Sequence, residues 1–150
     1  MTVEKKIYFA SDFHLGMPDF ERSLEREKSI VSWLNAISKD ASAVYLLGDV
    51  FDFWFEYKTV VPKGFVRFLG AISQLTDAGI PVYLFPGNHD LWVGKYLETE
   101  CGAIVVKGAL TIELGNEICY LHHGDGLGPG DVGYKWLKRV FLSKRFFAFN

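Results

Sequence analysis

Three nearly continuous apolar runs, residues 7–10, 43–47 and 82–85, are separated by longer stretches of helical periodicity. Short runs with no polar alternation are the pattern of strands covered on both faces, and alternation with helices implies parallel strands joined by crossovers. The first crossover is residues 21–38. In it Glu27, Ile30, Leu34, Ile37 and Ala41 follow helical spacing, and Ile30, Leu34 and Ile37 form the apolar stripe. The second is residues 63–78, where Phe65, Phe68, Leu69, Ile72 and Leu75 repeat at three and four, Pro62 suits the first turn and Gly79 the C-terminal cap. After the third run, residues 103–106, 109–114 and 117–121 read as strands with Gly115-Asn116 as a hairpin turn, so an α/β core gives way to an antiparallel portion. Residues 131–149 read as a helical, basic and aromatic segment that stops without a cap, so the chain reads as cut rather than finished.

Composition narrows the class. With 150 residues, 49% hydrophobic and 23% charged, and no repeat or linker, residues 1–150 read as one folding unit. A formal net charge of -2 provides no overall attraction to nucleic acid, which is not an expected partner. Cys101 and Cys119 form no Cys-x-x-Cys pair, and the first apolar run is too short and early for a signal peptide; two buried, reduced thiols are expected. No stretch reaches the roughly 20 apolar residues of a membrane span. The expected location is the cytoplasm, with peripheral contact to the cytoplasmic face of an inner membrane as an added reading. That contact would use Lys135, Lys138, Arg139, Lys144 and Arg145 among Trp136, Phe141, Phe146 and Phe147. Packing of this segment on another part of the protein is the alternative.

Function is read from where the polar residues fall, because ligands of open α/β sheets bind at the carboxyl ends of the strands. The first run ends in Ser11-Asp12-Phe13-His14, the second in Gly48-Asp49-Val50-Phe51-Asp52, and the third leads into Gly87-Asn88-His89-Asp90. The last strand ends in His122-His123-Gly124-Asp125. Singly, each motif has a plain reading as a turn, a helix cap or a satisfied histidine. Together, in order and at successive strand ends, they assemble oxygen and imidazole donors without thiolates. Such a set suits Mn, Fe, Zn or Mg in a catalytic site more than a structural zinc. Two ions about 3.5–4 Å apart, sharing a carboxylate, can polarise a phosphoryl group and activate a water.

The ordered set Asp-x-His, Gly-Asp-x-x-Asp, Gly-Asn-His-Asp and His-Gly-Asp, over residues 7–125, resembles the calcineurin-like metallophosphoesterases. The resemblance implies an α/β, layered fold: a β-sandwich core flanked by helices, here the N-terminal part of a single domain, with residues 131–150 starting a helical lid. It implies two divalent cations, with Mn foremost. Asp12 and His14 would hold one, Asp49 both, and Asn88 and His123 the other. His89 would sit over the phosphoryl group as stabiliser or proton donor, making His89 and Asp49 the catalytic pair. Asp52 and Asp90 would orient histidines from behind.

A finer similarity is to UDP-2,3-diacylglucosamine diphosphatases. It is carried by Ser11-Asp12-Phe13-His14-Leu15-Gly16, by Gly48-Asp49-Val50-Phe51-Asp52-Phe53-Trp54, and by His123-Gly124-Asp125 with Asp131, Gly133 and Tyr134 downstream. It implies a nucleotide-lipid substrate from lipid A biosynthesis, cleaved to UMP and 2,3-diacylglucosamine 1-phosphate by hydroxide generated at the metal pair. Asp131 and Tyr134 would face the head group. The segment 51–57 has two readings, core packing by alternate residues or outward aromatics bordering a lipid groove.

Two departures stand out. His89 occupies a position where better-known members have Arg, which points toward the generic soluble phosphodiesterases and phosphatases that share every ligand. The family's closing Gly-His-x-His motif is absent, since the only histidines are His14, His89, His122 and His123. A fragment with weakened metal binding and little turnover is therefore expected, with an exposed sheet edge open to homodimer formation. A nuclease would want a basic channel, for which the sequence before residue 134 offers little. A non-catalytic relative would lose ligands at these motifs.

Overall fold

The computed structural model describes residues 4–125. Its elements run β1 (Lys6–Ala10), α1 (Phe20–Ile37), β2 (Ala41–Leu47), α2 (Val66–Asp77), β3 (Val82–Phe85), α3 (Tyr96–Cys101), β4 (Ile104–Val105), β5 (Leu110–Leu114) and β6 (Glu117–Leu121). The first four strands form one parallel sheet in the order β1-β2-β3-β4, and β5 and β6 form an antiparallel hairpin. The architecture is mixed α/β, with a parallel sheet between helices and hairpin.

The layering follows from the alternation along β2 and β3. On one face Val44, Leu46, Val82 and Leu84 pack against Ile30, Leu34 and Ile37 of α1 and Phe68, Ala71, Ile72 and Leu75 of α2. On the other, Ala43, Tyr45 and Phe85 pack with Leu121 and, partly buried, Leu110, Ile112 and Cys119 of the hairpin. The rings of Phe9, Tyr45 and Tyr83, one from each of three neighbouring strands, stack in a row across this second face.

The two helices begin by different means. Asp19 caps α1, its side chain accepting from Arg22 N at 2.9 Å. Phe65, in the N-cap position of α2, is left-handed and has no side-chain oxygen to offer. Glu27 of α1 replaces it: the buried carboxylate accepts from Arg67 N at 2.9 Å and Phe68 N at 3.0 Å. A helix start lacking its own cap is thus completed from the neighbouring helix.

Several expectations are corrected. Ala41 begins β2 instead of continuing the helical stripe, and Pro62 lies before Val66, where α2 starts. Gly79, at φ 78°, does follow α2, donating to Thr76 O at 2.9 Å. Ile104–Val105 pairs parallel with β3, so it belongs to the first sheet and not to the antiparallel portion. Among the described residues strand β1 is not covered on both faces: it lies at the edge of the sheet with Ile7 and Phe9 36% and 40% exposed, because the hairpin lies over β2 and β3. Cys101 is buried and Cys119 only half-buried; both are free thiols. In segment 51–57 the fully buried rings are Phe51 and Trp54, three apart, while Phe53 and Tyr57 are exposed. Alternation fails there because the segment is a loop held by isolated bridges, Leu15 to Phe51 and Phe55 to Trp92. The expected lid from residue 131, with Asp131, Tyr134 and the basic aromatic segment, lies outside the described residues.

Candidate metal centre

Four loops meet beyond the carboxyl ends of the strands, and hydrogen bonds continue the sheet into them. Asp12 N donates to Gly48 O at 3.0 Å, His14 N to Asp49 O at 2.9 Å and Leu15 N to Val50 O at 3.0 Å. The loops after β1 and β2 therefore run side by side, with Asp12, His14 and Asp49 on adjacent backbones. These three are also left-handed, at φ 58°, 45° and 51°. A non-glycine residue held there costs on the order of 1–3 kcal/mol, and such residues gather at functional sites.

Two glycines make the crowding feasible. A Cβ on Gly87 would overlap the Asp49 carboxylate and lie 2.5 Å from Asp49 N. A Cβ on Gly48, itself at φ 96°, would overlap the His123 ring. Each motif glycine therefore leaves room for a neighbouring donor.

Asp49 is 3% exposed and sits at the centre. Its Oδ1 accepts from His89 N at 2.9 Å, while its Oδ2 lies 3.8 Å from His14 Nε2 and 3.4 Å from His123 Nε2. Donor atoms of His14, Asp49 and His89 lie within 4.8 Å of one another, as do those of Asp12, Asp49 and His123. Asn88 Oδ1 adds an oxygen 3.2 Å from His123 Nε2. All six residues singled out from the sequence as ligands or catalytic groups thus come together. The grouping differs from the expected one: Asp12 falls with His123 and His14 with His89, although Asp12 Oδ1 is also 3.9 Å from His14 Nε2.

The donor chemistry of these residues fits a cation. His123 Nδ1 lies 2.8 Å from Leu47 O, an oxygen that only accepts, so Nδ1 carries the hydrogen and Nε2 presents a lone pair. In the neutral ring that nitrogen faces the Asp49 and Asn88 oxygens, so three potential donor atoms converge. His89 Nδ1 likewise lies against a carbonyl, donating to Asp52 O at 3.2 Å. Among the described residues buried His14 Nδ1 has no hydrogen-bond partner, Asp52 Oδ1 being 3.5 Å away. His122 faces elsewhere: its Nδ1 accepts from Gly124 N at 2.7 Å and its ring stacks on Tyr120.

The two aspartates expected behind the ligands differ. Asp52 does border both histidines, with Oδ1 at 3.1 Å from His89 Nδ1 and 3.5 Å from His14 Nδ1. Asp90 orients no histidine. Its fully buried carboxyl accepts from Gly87 N at 2.7 Å, Val50 N at 2.9 Å and Phe51 N at 3.2 Å, tying the loops after β2 and β3 together. Burial pushes its pKa above the usual carboxylate range, and those three amides oppose the shift.

Two further residues escaped the sequence reading. Glu56 accepts from Trp54 Nε1 at 3.0 Å, Gly94 N at 2.8 Å and Tyr96 N at 3.1 Å, anchoring the aromatic loop to the start of α3. Arg26 donates into the loop after β1. Glu56 signals itself in the sequence only as a charge between aromatic neighbours, and Arg26, inside the charged run Glu25-Arg26-Glu27-Lys28, carries no signal of its own.

Residues 5–145 match the sequence model of the calcineurin-like phosphoesterase family. The chain is 45% identical over 123 residues to a UDP-2,3-diacylglucosamine hydrolase of Porphyromonas gingivalis, covering 82% of this chain and 47% of the relative. It is 34% identical over 137 residues to the protein of that name from Pseudomonas fluorescens, covering 89% and 52%. The chain spans about half the length of these curated relatives. A solved structure of a protein of unknown function from Aquifex aeolicus, 17% identical, aligns with a TM-score of 0.53 over 90% of this chain and 70% of that one, a likeness of fold. Among the described residues no helix is long and apolar enough to cross a membrane.

Proposed function

Because this chain belongs to the calcineurin-like phosphoesterase family, we propose that it forms the metal-holding part of a hydrolase acting on UDP-2,3-diacylglucosamine. The products would be UMP and 2,3-diacylglucosamine 1-phosphate. The observation that carries the metal reading is Asp49, one buried carboxylate common to both donor clusters. The substrate reading is supported by the relatives of that name.

Two divalent cations, manganese foremost and iron, zinc or magnesium as alternatives, would supply Lewis-acid polarisation of the phosphoryl oxygens and a water of lowered pKa. In this reading Asp12 and His14 hold one, Asn88 and His123 the other, and Asp49 is shared. With Nδ1 donating to Asp52 O, a doubly protonated His89 ring would have an Nε2–H to give as a hydrogen bond or a proton to the leaving oxygen. Asp52 would limit rotation of the His89 ring, and it borders His14 at a longer distance. Asp131 and Tyr134 would meet the head group, and exposed Phe53 and Tyr57 would border the acyl chains. The protein would act in the cytoplasm, touching the inner membrane peripherally, and the free edge of β1 would serve a homodimer.

A second reading, a generic soluble phosphodiesterase or phosphatase on the same ligands, is favoured by one residue: an imidazole, His89, stands where better-known hydrolases of this substrate have a guanidinium. The test is UMP release from UDP-2,3-diacylglucosamine by the natural full-length protein, with and without Mn, beside bis-p-nitrophenyl phosphate. Selective, Mn-dependent UMP release lost in Asp49→Ala supports the lipid pyrophosphatase. Turnover of the simple ester alone refutes it and leaves the second reading.

A further inference from the structure

The loop between β1 and α1 carries Asp12 and His14 in left-handed conformations, and its amides at Asp12, His14 and Leu15 are engaged by the loop after β2. Within it Met17 N reaches His14 O only at 3.3 Å. The carbonyl oxygens of Phe13, His14 and Met17 instead converge on one nitrogen from outside the loop, Arg26 Nη1, at 3.1, 2.8 and 3.1 Å. Among the described residues no carboxylate pairs with Arg26, so its charge is directed at these carbonyls. Arg26 is half-buried and lines the same cleft as Asp12, His14 and His89.

Helix α1 gives this grip a fixed base. One turn earlier Ser23 Oγ accepts from Gly16 N at 2.7 Å, and one residue later Glu27 fastens α1 to the start of α2. The His14 ring has little else to orient it, since its Nδ1 is 3.5 Å from Asp52 Oδ1. Its direction therefore follows from its backbone, whose amides are held by the loop after β2 and whose carbonyls are held from α1.

We propose that Arg26 is a positioning residue, which sets the ligating geometry of Asp12 and His14 by gathering the three carbonyls of their loop onto one cation. The inference rests on the reading that Asp12 and His14 are metal ligands. Lysine would keep a cation and several donors on one nitrogen but not the reach and planar geometry of the guanidinium; glutamine would lose the charge.

The experiment uses the natural full-length protein and the variants Arg26→Gln, Arg26→Lys and, as control, His14→Ala. Mn affinity is read from the EPR signal of free Mn, thermal stability from the metal-free protein, and kcat and KM from bis-p-nitrophenyl phosphate. Arg26→Gln is expected to weaken Mn binding about 10–100-fold, the range for partners behind a ligand, and to lower kcat with KM little changed; Arg26→Lys should fall between it and the parent. A folded Arg26→Gln that binds Mn within about twofold of the parent overturns the proposal, since 10-fold is the least it requires. A variant that loses thermal stability while keeping Mn affinity makes Arg26 merely structural and overturns it too. If Arg26→Gln does not fold, Arg26→Lys decides by the same criterion, and failure of both to fold also counts against the proposal. If His14→Ala binds Mn like the parent, the ligand reading is what fails.

Discussion

Removing the Glu27 carboxylate tests whether α2 is started from α1. Glu27 is 5% exposed and accepts two backbone hydrogens at the first turn of a helix without a cap of its own. Glu27→Ala leaves both amides without an acceptor, one of them buried. A hydrogen bond to a charged group contributes roughly 1.5–3 kcal/mol and a lost helix cap about 0.5–2. The two bonds share one oxygen and do not add in full, so about 2–4 kcal/mol is expected. Glu27→Gln keeps a carbonyl oxygen there and loses mainly the charge facing the helix N-terminus, about 0.3–1 kcal/mol at exposed sites and up to about 2 when partly buried. Urea unfolding of the natural full-length protein gives the ranking, and hydrogen exchange at the Arg67 and Phe68 amides gives its location. An Ala variant within about 0.5 kcal/mol of the parent, or a Gln variant as costly as Ala, would refute the trans-capping argument.

Three other outcomes follow from the same geometry. Gly87→Ala should cost about 1–3 kcal/mol through overpacking and weaken Mn binding as well, because the added methyl overlaps the Asp49 carboxylate; calorimetry with a Mn titration checks both. Trp54→Ala should cost about 3–5 kcal/mol by thermal unfolding, since a fully buried ring packed at a tilt against Phe51 is lost and Glu56 loses a donor. At the sheet edge, hydrogen bonds from Lys6 and Tyr8, each 2.8 Å, hold the Asp40 pKa below its ordinary value. A lowered carboxylate pKa adds stability above the unfolded value that disappears as pH falls through the folded one, so Asp40→Asn should flatten that acid limb in a stability-against-pH series.

The parts legible in the sequence were those written in contiguous residues. Residues 43–47 and 82–85 read as strands because covering on both faces leaves an uninterrupted apolar run. Gly115-Asn116 marked the hairpin because a two-residue turn needs positive φ, and Gly115 has φ 62°. Helix α3 was missed: at six residues, with only Leu97 and Cys101 buried, it is too short to show a period. Two residues, Ile104–Val105, carry no information on strand direction. The candidate ligands were legible because each strand leads into its loop within a few positions. What stayed hidden needs the third dimension. Glu27 has its partners 40 and 41 residues away, Glu56 meets Gly94 and Tyr96, and Arg26 addresses carbonyls that name no residue type. Asp90 was misjudged for the same reason: its partners are backbone amides, and any residue can supply those.

The sharing of Asp49 between two cations is tested most directly by EPR of the natural full-length protein titrated with Mn. The account predicts two bound ions per chain with an exchange-coupled spectrum, as ions about 3.5–4 Å apart require, and loss of the coupling in Asp49→Ala. A spectrum of isolated Mn in the parent, or coupling that survives Asp49→Ala, would contradict it.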